Sequence, residues 1–308
     1  MENQRKIKEA FNHTFEELEI PNILSSLQKG EFENLRKAHN SIHEFIYLAV
    51  LCVPFKKEVN WHSKSAFLLY HNEAFDLAHR SSLEALAGYY NAAYSLLRST
   101  LELLLKGAFW ECLAHKEFRN KVHAVMKHKV KIEGIKRTLI DWFEDIFQCK
   151  PSIEEDFEKT SAAIYDKIFP IPEDPELKKL IPIPKKIIEQ LSEWGILDPI
   201  SRNIIYEIYT NLSADVHVIP NKTDIGRRLL KGEDLFETTV ILDELNKFFN
   251  LLHEVMDIGI VIELNVLNDW IQQNGIVKDR LKERLSIIEK DLQLNYASSK
   301  IRKLVGEK

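Results

Sequence analysis

The dominant feature of this sequence is a helical repeat of apolar residues that extends through most of the chain. Apolar residues recur at three- and four-residue spacing, with almost no Gly or Pro between them, in six stretches: 31–53, 82–114, 117–148, 198–217, 234–272 and 277–304. No run alternates convincingly between apolar and polar residues, and no hairpin signal joins two such runs. The sequence therefore predicts an all-α fold, a multi-helix bundle.

A cluster of prolines divides this helical pattern into two halves. Five of the ten prolines fall within fifteen residues: Pro170, Pro172, Pro175, Pro182 and Pro184. Because proline fixes its own φ and disfavours helix at the preceding residue, we expect this stretch to be extended, with at most short helical turns, within a Pro-rich crossover segment over 151–197. No internal repeat is evident, so we interpret 1–308 as one helical domain, with N-terminal helices over 1–150 and C-terminal helices over 198–308.

Composition excludes several classes of protein. With 45% hydrophobic and 29% charged residues, the 308-residue chain is globular and not disordered. No apolar run approaches the roughly 18–20 residues that cross a bilayer, so we expect no membrane insertion. The first residues lack the apolar core of a signal peptide, and the three cysteines are widely spaced, which favours a cytoplasmic protein without disulfides.

Charge is distributed unevenly along the chain. The net formal charge of −5 argues against a surface that coats nucleic acid as a whole. Segment 116–137, however, carries eight Lys and Arg against two Glu, whereas 151–180 carries eight acidic residues against four Lys. The basic segment 116–137 is a candidate surface for RNA or a nucleotide. Solvated helix faces would give the same pattern.

One narrow polar strip follows an otherwise apolar helix over 91–110. Its members fall within about 80° of one another on a helical wheel: Asn91, Ser95, Arg98, Glu102 and Lys106. A lone buried charge is costly, so we expect Arg98 and Glu102, one turn apart, to pair. The strip is either a structural ion pair, an exposed helix edge or the lining of a functional site.

A second helix with a polar strip is predicted to begin at Asp198, with Pro199 in its first turn, and to end at His217. Its apolar face comprises Ile200, Ile204, Ile205, Ile208, Leu212 and Val216, and its polar strip comprises Arg202, Tyr206, Tyr209, Ser213 and His217. At the helix C-terminus, His217 is the best single acid/base candidate among the eleven histidines. A capping histidine is the alternative interpretation.

Two segments on these helices carry a family resemblance. Leu-Arg-Ser-Thr-Leu-Glu-Leu at 97–103 and Tyr-Thr-Asn-Leu-Ser-Ala-Asp-Val-His at 209–217 resemble segments of uncharacterised prokaryotic helical proteins similar to the HEPN superfamily. The resemblance covers mainly 80–114 and 200–220. Many HEPN proteins are metal-independent ribonucleases of toxin, antiviral or RNA-processing systems. The resemblance thus implies an endoribonuclease of a defence or toxin–antitoxin system that needs no cofactor.

The resemblance also implies roles for individual residues. His217 would act as the acid/base and Arg98, beside Glu102, would stabilise negative charge on the phosphate. The expected substrate-binding residues are Tyr209, Ser213, Asn211, Arg202 and Lys106. The chain departs from the family pattern, because Thr210, Asn211 and Leu212 occupy the positions at which the catalytic Arg would precede His217. Arg98 from the other helix, or Arg202, would therefore have to supply the cation.

Two other interpretations remain open. A non-catalytic scaffold would bind a nucleotide or a protein, and the apolar stripes of 234–272 and 277–304 could pair two copies into a homodimer.

A metal enzyme is the third interpretation. His39 and His43 are one helical turn apart, with Glu44 adjacent, and His123 and His128 are near one another. The di-iron pattern Glu-x-x-His does not occur, and its closest match is Asp76-x-x-His79. We therefore expect no metal and no cofactor.

Overall fold

The computed structural model describes residues 2–30, 32–52, 66–112, 183–216 and 240–307. Within these ranges almost every residue is helical and no strand occurs, which confirms the all-α prediction. Several predicted features lie outside the described residues, among them the helix over 117–148 and the basic segment 116–137 with His123 and His128.

The helices are α1 (Glu2–Phe11), α2 (Ile20–Lys29), α3 (Phe32–Cys52), α4 (Ala66–Leu86), α5 (Tyr90–Cys112), α6 (Pro184–Glu193), α7 (Pro199–Val216), α8 (Leu242–Val266), α9 (Asn268–Gln273), α10 (Gly275–Ser286) and α11 (Asn295–Val305). Two π-helical segments, Asn12–Glu19 and Ile287–Asp291, join α1 to α2 and extend α10. The predicted stretches 31–53 and 198–217 correspond to α3 and α7. The stretches 82–114, 234–272 and 277–304 are each divided between separate helices.

A glycine ends α4 inside the stretch predicted as one helix over 82–114. Gly88 has a φ of +87°, a conformation that residues with a Cβ adopt rarely. The Tyr89 N–H donates to the Glu84 carbonyl at 2.8 Å, which closes the helix end, and α5 begins at Tyr90. The sharp turn lets α4 and α5 pack side by side as a helical hairpin.

The Pro-rich crossover segment 151–197 contains, at its C-terminal end, a helix that the proline pattern does not predict. Residues 184–193 form the ten-residue helix α6, with Pro184 at the start, where a missing N–H costs no helical hydrogen bond. Four residues of α6 are buried, and its neighbours are α5 and α7: Ile187, Ile188, Gln190 and Leu191. Residues 151–182 lie outside the described residues.

The centre of the core is α8. Sixteen of its 25 residues are buried, and it packs against α3 and α5 on one side and against α11 on another. Gly259 permits this close approach, since a Cβ there would lie 3.0 Å from the Leu104 side chain and 3.2 Å from Phe45. The helices on both sides of the proline cluster therefore share one hydrophobic core.

The apolar stripes expected to pair two copies are used inside this chain. Leu281, Leu285, Ile288 and Leu292 are buried against the core, as are the apolar residues of α8. In the described parts of the two stretches, 240–272 and 277–304, these side chains are occupied by packing within the chain. None of the described helices combines the length and apolarity that crossing a membrane requires.

Candidate functional site

The polar strip of α5 is organised around one carboxylate. Glu102 Oε1 accepts a hydrogen bond from Arg98 Nε at 3.1 Å, and Glu102 Oε2 lies 3.5 Å from Lys106 Nζ. The predicted Arg98–Glu102 pairing is thus confirmed. Both side chains of that pair are about one fifth exposed, at 21%. Glu102 carries one negative charge, and Arg98 and Lys106 carry one positive charge each. These three side chains therefore have a net formal charge of +1, and they are accessible from solvent.

Tyr209 on α7 joins this strip from the neighbouring helix. Arg98 Nη2 donates to the Tyr209 hydroxyl at 3.1 Å, and that hydroxyl donates in turn to Glu102 Oε1 at 3.4 Å. The Arg98 guanidinium carbon also lies 5.3 Å from the centroid of the Tyr209 ring, within cation–π range. We call Arg98, Glu102, Lys106 and Tyr209 the Arg98 cluster. It unites residues that are about 110 positions apart in the sequence.

The packing of α7 explains why Tyr209 reaches Arg98. The helix begins as predicted, because the Asp198 carboxylate accepts the Ser201 N–H at 2.7 Å and this hydrogen bond lowers the pKa of Asp198. Tyr209, placed on the polar strip by the sequence, is only 6% exposed, whereas Ile200, placed on the apolar face, is 68% exposed. The buried face of α7 therefore includes part of its predicted polar strip.

The other predicted site residues do not join the Arg98 cluster. The Ser213 hydroxyl donates to the Tyr209 carbonyl of its own helix at 2.6 Å. Arg202 and Asn211 are exposed on α7, and no hydrogen bond or ion pair links them to the cluster within the described part of the chain. His217, the predicted acid/base, lies outside the described residues.

A cluster of three histidines lies where α3 and α4 pack together. His39 and His43 are one turn apart on α3, and His79 reaches them from α4. One ring nitrogen from each lies within 4.8 Å of the other two, and the ring centroids are 4.6 to 5.7 Å apart. Burial, together with the charges of the other two rings, lowers the pKa of His39. We call these residues the histidine cluster.

All three histidines are candidates in the sequence, but no spacing pattern combines them. The sequence suggested His39 and His43 with the adjacent Glu44. In the structure Glu44 is buried and bound to Arg284 of α10, so it is not available to the histidine cluster. His79 was considered only within Asp76-x-x-His79. The i,i+4 spacing of His39 and His43 was the available signal, but the third member depends on how α3 packs against α4.

Another histidine, His71, is fully buried and was not a candidate in the sequence. His71 Nε2 on α4 lies 3.4 Å from Glu263 Oε2 on α8, and the Phe45 ring stacks on the imidazole. Burial lowers the pKa of His71 to about 3 and raises the pKa of Glu263 well above its usual value. Both effects favour uncharged side chains. We call these two residues the buried pair.

No model of a protein family, no curated protein and no solved structure matches this chain. The geometry of its own residues is therefore what supports a function.

Proposed function

We propose that this protein is a HEPN-like, metal-independent endoribonuclease of a defence or toxin–antitoxin system, with its site at the Arg98 cluster. The observation that carries the proposal is the hydrogen bond from Arg98 to Tyr209, which joins the polar strips of α5 and α7. Those are the two helices on which the family resemblance rests. A partly exposed guanidinium flanked by a tyrosine and a lysine suits the recognition of an RNA phosphate.

The proposed reaction is the transfer of an RNA phosphate onto its own ribose. His217 removes the proton from a 2′-hydroxyl, whose oxygen attacks the adjacent phosphorus while the bond to the 5′-oxygen of the next nucleotide breaks. His217 releases its proton to solvent, the leaving 5′-oxygen takes up a proton from water, and the products are a 2′,3′-cyclic phosphate and a 5′-hydroxyl. Arg98 stabilises the additional negative charge on the phosphate oxygens. Glu102 holds the guanidinium in position before the substrate binds.

The test is incubation of purified protein with a pooled RNA substrate in EDTA, with fragment ends read for 2′,3′-cyclic phosphate. We expect cleavage by the wild type and its loss in His217→Ala and in Arg98→Ala. The matched control is Arg5→Ala, which removes an exposed arginine that also pairs with a glutamate one turn away, at 2.8 Å. Cleavage that survives in His217→Ala would overturn the assignment of the acid/base.

A non-catalytic nucleotide-binding protein is the second candidate. Glu102 and Tyr209 each accept a hydrogen bond from Arg98, and Tyr209 also donates to Glu102, which favours anchoring of a bound phosphate over stabilisation of a transition state. In that case the wild type would bind labelled RNA or nucleotide without cleaving it, and Arg98→Ala would weaken binding. A folded wild type that neither binds nor cleaves RNA or nucleotides would contradict both candidates and favour a protein-binding scaffold.

A further inference from the structure

The histidine cluster has the donor set of a transition-metal site. It presents three imidazoles from two packed helices, and three imidazoles are the protein ligands of one well-known kind of zinc site, in which water completes the coordination. Two of the three occur at i and i+4 on one helix, a spacing that places both rings on the same face for a single ion. The cluster is independent of the Arg98 cluster, since the two share no residue.

The hydrogen bonding of His79 is the second observation. Its Nδ1 lies 3.2 Å from the Phe75 carbonyl oxygen, one turn earlier on α4. A carbonyl oxygen only accepts, so the ring proton is on Nδ1 and the lone pair is on Nε2. Histidines that bind metals usually donate their other ring N–H to a carbonyl or a carboxylate in this way, which fixes the orientation of the ring. Phe75 also contacts the rings of His43 and His79 edge-on.

The distances require only side-chain adjustment. Around a tetrahedral zinc ion with zinc–nitrogen bonds of about 2.0–2.1 Å, ligand nitrogens lie about 3.3 Å apart. The nitrogens of the histidine cluster are within 4.8 Å of one another. His39 and His43 are exposed, so rotation of their side chains can close the remaining gap, while His79 is half-buried and held by its carbonyl contact.

We infer that His39, His43 and His79 bind one divalent transition-metal ion, with Zn²⁺ as the probe, and that the ion links α3 to α4. The remaining coordination positions face solvent and take water. Imidazole donors suit Zn²⁺, Cu²⁺ and Ni²⁺ and do not suit Mg²⁺ or Ca²⁺, which prefer oxygen ligands. This inference does not depend on the proposed ribonuclease activity.

The test is zinc binding by the metal-free full-length chain, measured by competition with a chromophoric chelator. We expect the wild type to bind one more zinc ion per chain than His79→Ala or His43→Ala, or to bind that ion at least tenfold more tightly. The matched control is His13→Ala, which removes an exposed histidine that pairs with Glu17 one turn away on the same helical segment. It should bind as the wild type does.

Comparison of variants is essential because the chain has eleven histidines in all. Two further readouts identify the ligands. Co²⁺ bound by the wild type should give the visible bands of a low-symmetry site, and these should be lost in His79→Ala. Zinc should also raise the wild-type Tm by about 5 °C at a hundredfold excess over Kd.

Equal zinc stoichiometry and affinity in the wild type and both variants would overturn the inference. So would a zinc-dependent rise in Tm that persists in His79→Ala. The RNA cleavage assay is carried out in EDTA and therefore does not depend on bound zinc. The proposed ribonuclease activity and the zinc site can each be contradicted without affecting the other.

Discussion

Tyr209 combines two functions in one side chain. Its ring packs in the interface between α5 and α7, while its hydroxyl, at the end of the ring, accepts from Arg98 and donates to Glu102. An amphipathic residue of this kind can be buried and still contribute to a polar site. The Arg98 cluster is thereby part of the helix packing as well as a candidate site.

Removing the hydroxyl of Tyr209 separates these two functions. In Tyr209→Phe the ring packing remains and the two hydrogen bonds are lost, so we expect the free energy of unfolding to fall by about 1 kcal/mol. Urea denaturation measures this change. The control is Tyr206→Phe, one turn earlier on α7, where the side chain is more exposed and its ring lies beneath Lys185. Equal losses in the two variants would show that the hydroxyl of Tyr209 contributes nothing specific.

At this scale the sequence predicted which residues share a helical strip but not which strip faces the core. The spacing of Arg98 and Glu102 sufficed to predict their ion pair, because both lie on one helix. The contact with Tyr209 depends on the rotation of α7 about its axis, and a helical wheel gives only relative angles. Packing against α5 sets that rotation, which is why Tyr209 is buried and Ile200 is exposed.

Among the helices, α11 begins with a cap supplied from a distant part of the chain. The carboxylate of Asp257, on α8, accepts the backbone N–H of Tyr296 at 3.0 Å and that of Ala297 at 2.7 Å. These N–H groups lie in the first turn of α11 and have no partner within their own helix. Asp257 therefore satisfies the start of α11 and attaches it to the central helix.

Loss of this cap should cost more than loss of a local one. We expect Asp257→Ala to lower the free energy of unfolding by about 2 kcal/mol, because it leaves one buried and one half-buried N–H group unsatisfied. Asp198→Ala, which removes the exposed local cap of α7, should cost about 1 kcal/mol. Chemical denaturation compares the two variants, and amide hydrogen exchange should be faster at Tyr296 and Ala297 only in Asp257→Ala. A smaller loss for Asp257→Ala than for Asp198→Ala would contradict this interpretation.

The two caps show which helix boundaries a sequence reveals. Asp198 and Pro199 are adjacent to the helix they start, so the beginning of α7 was predicted correctly. The boundary between the π-helical segment and α11 falls at residues 292–294, where Gln293 has a positive φ and the capping side chain comes from about 40 residues earlier. Local sequence contains no signal for such a partner, and the stretch 277–304 was therefore predicted as one helix.

For the molecule as a whole, the sequence predicted the all-α class because helical periodicity is a local property. It did not predict that α8 would be central, with both ionisable and apolar side chains buried. Glu263 is fully buried on α8 and lies beside His71 of α4, while α3 contributes Phe45 and Cys52 to the same region. Burial raises the pKa of Cys52. His71 and Cys52 are more than 190 positions from Glu263 in the sequence, and Phe45 and His71 are on different helices. No rule of residue spacing within a helix could identify these contacts.

The buried pair links the stability of the whole fold to pH through the number of protons it holds. Between pH 4.5 and 6.5, the usual values for Glu and His, the unfolded chain carries one proton on these two residues, on the histidine. The folded chain also carries one, on Glu263, because burial keeps His71 neutral down to about pH 3. Equal proton numbers mean that the pair contributes no pH dependence in this window.

Above pH 6.5 the balance changes. The unfolded chain loses the histidine proton while the folded chain keeps the proton of Glu263, so stability falls as pH rises towards the raised pKa of Glu263. The slope for one proton is about 1.4 kcal/mol per pH unit. Below pH 4.5 the unfolded chain gains a second proton before the folded chain does, so stability also falls in acid, down to about pH 3.

Glu263→Gln tests this account, because glutamine has a similar size and carries no titrating proton. The decline in stability above pH 6.5 should disappear in the variant. From pH 6.5 to 8.5 the free energy of unfolding of the wild type should fall, whereas that of Glu263→Gln should not show this fall. In the variant the acid decline that comes from the buried pair should begin at pH 6.5, since His71 is then the only member of the pair that titrates. Urea denaturation at pH 5.5, 7.0 and 8.5 measures both limbs, with the exposed Glu283→Gln as control. Parallel pH profiles for the wild type and Glu263→Gln would show that the folded chain does not retain the proton on Glu263.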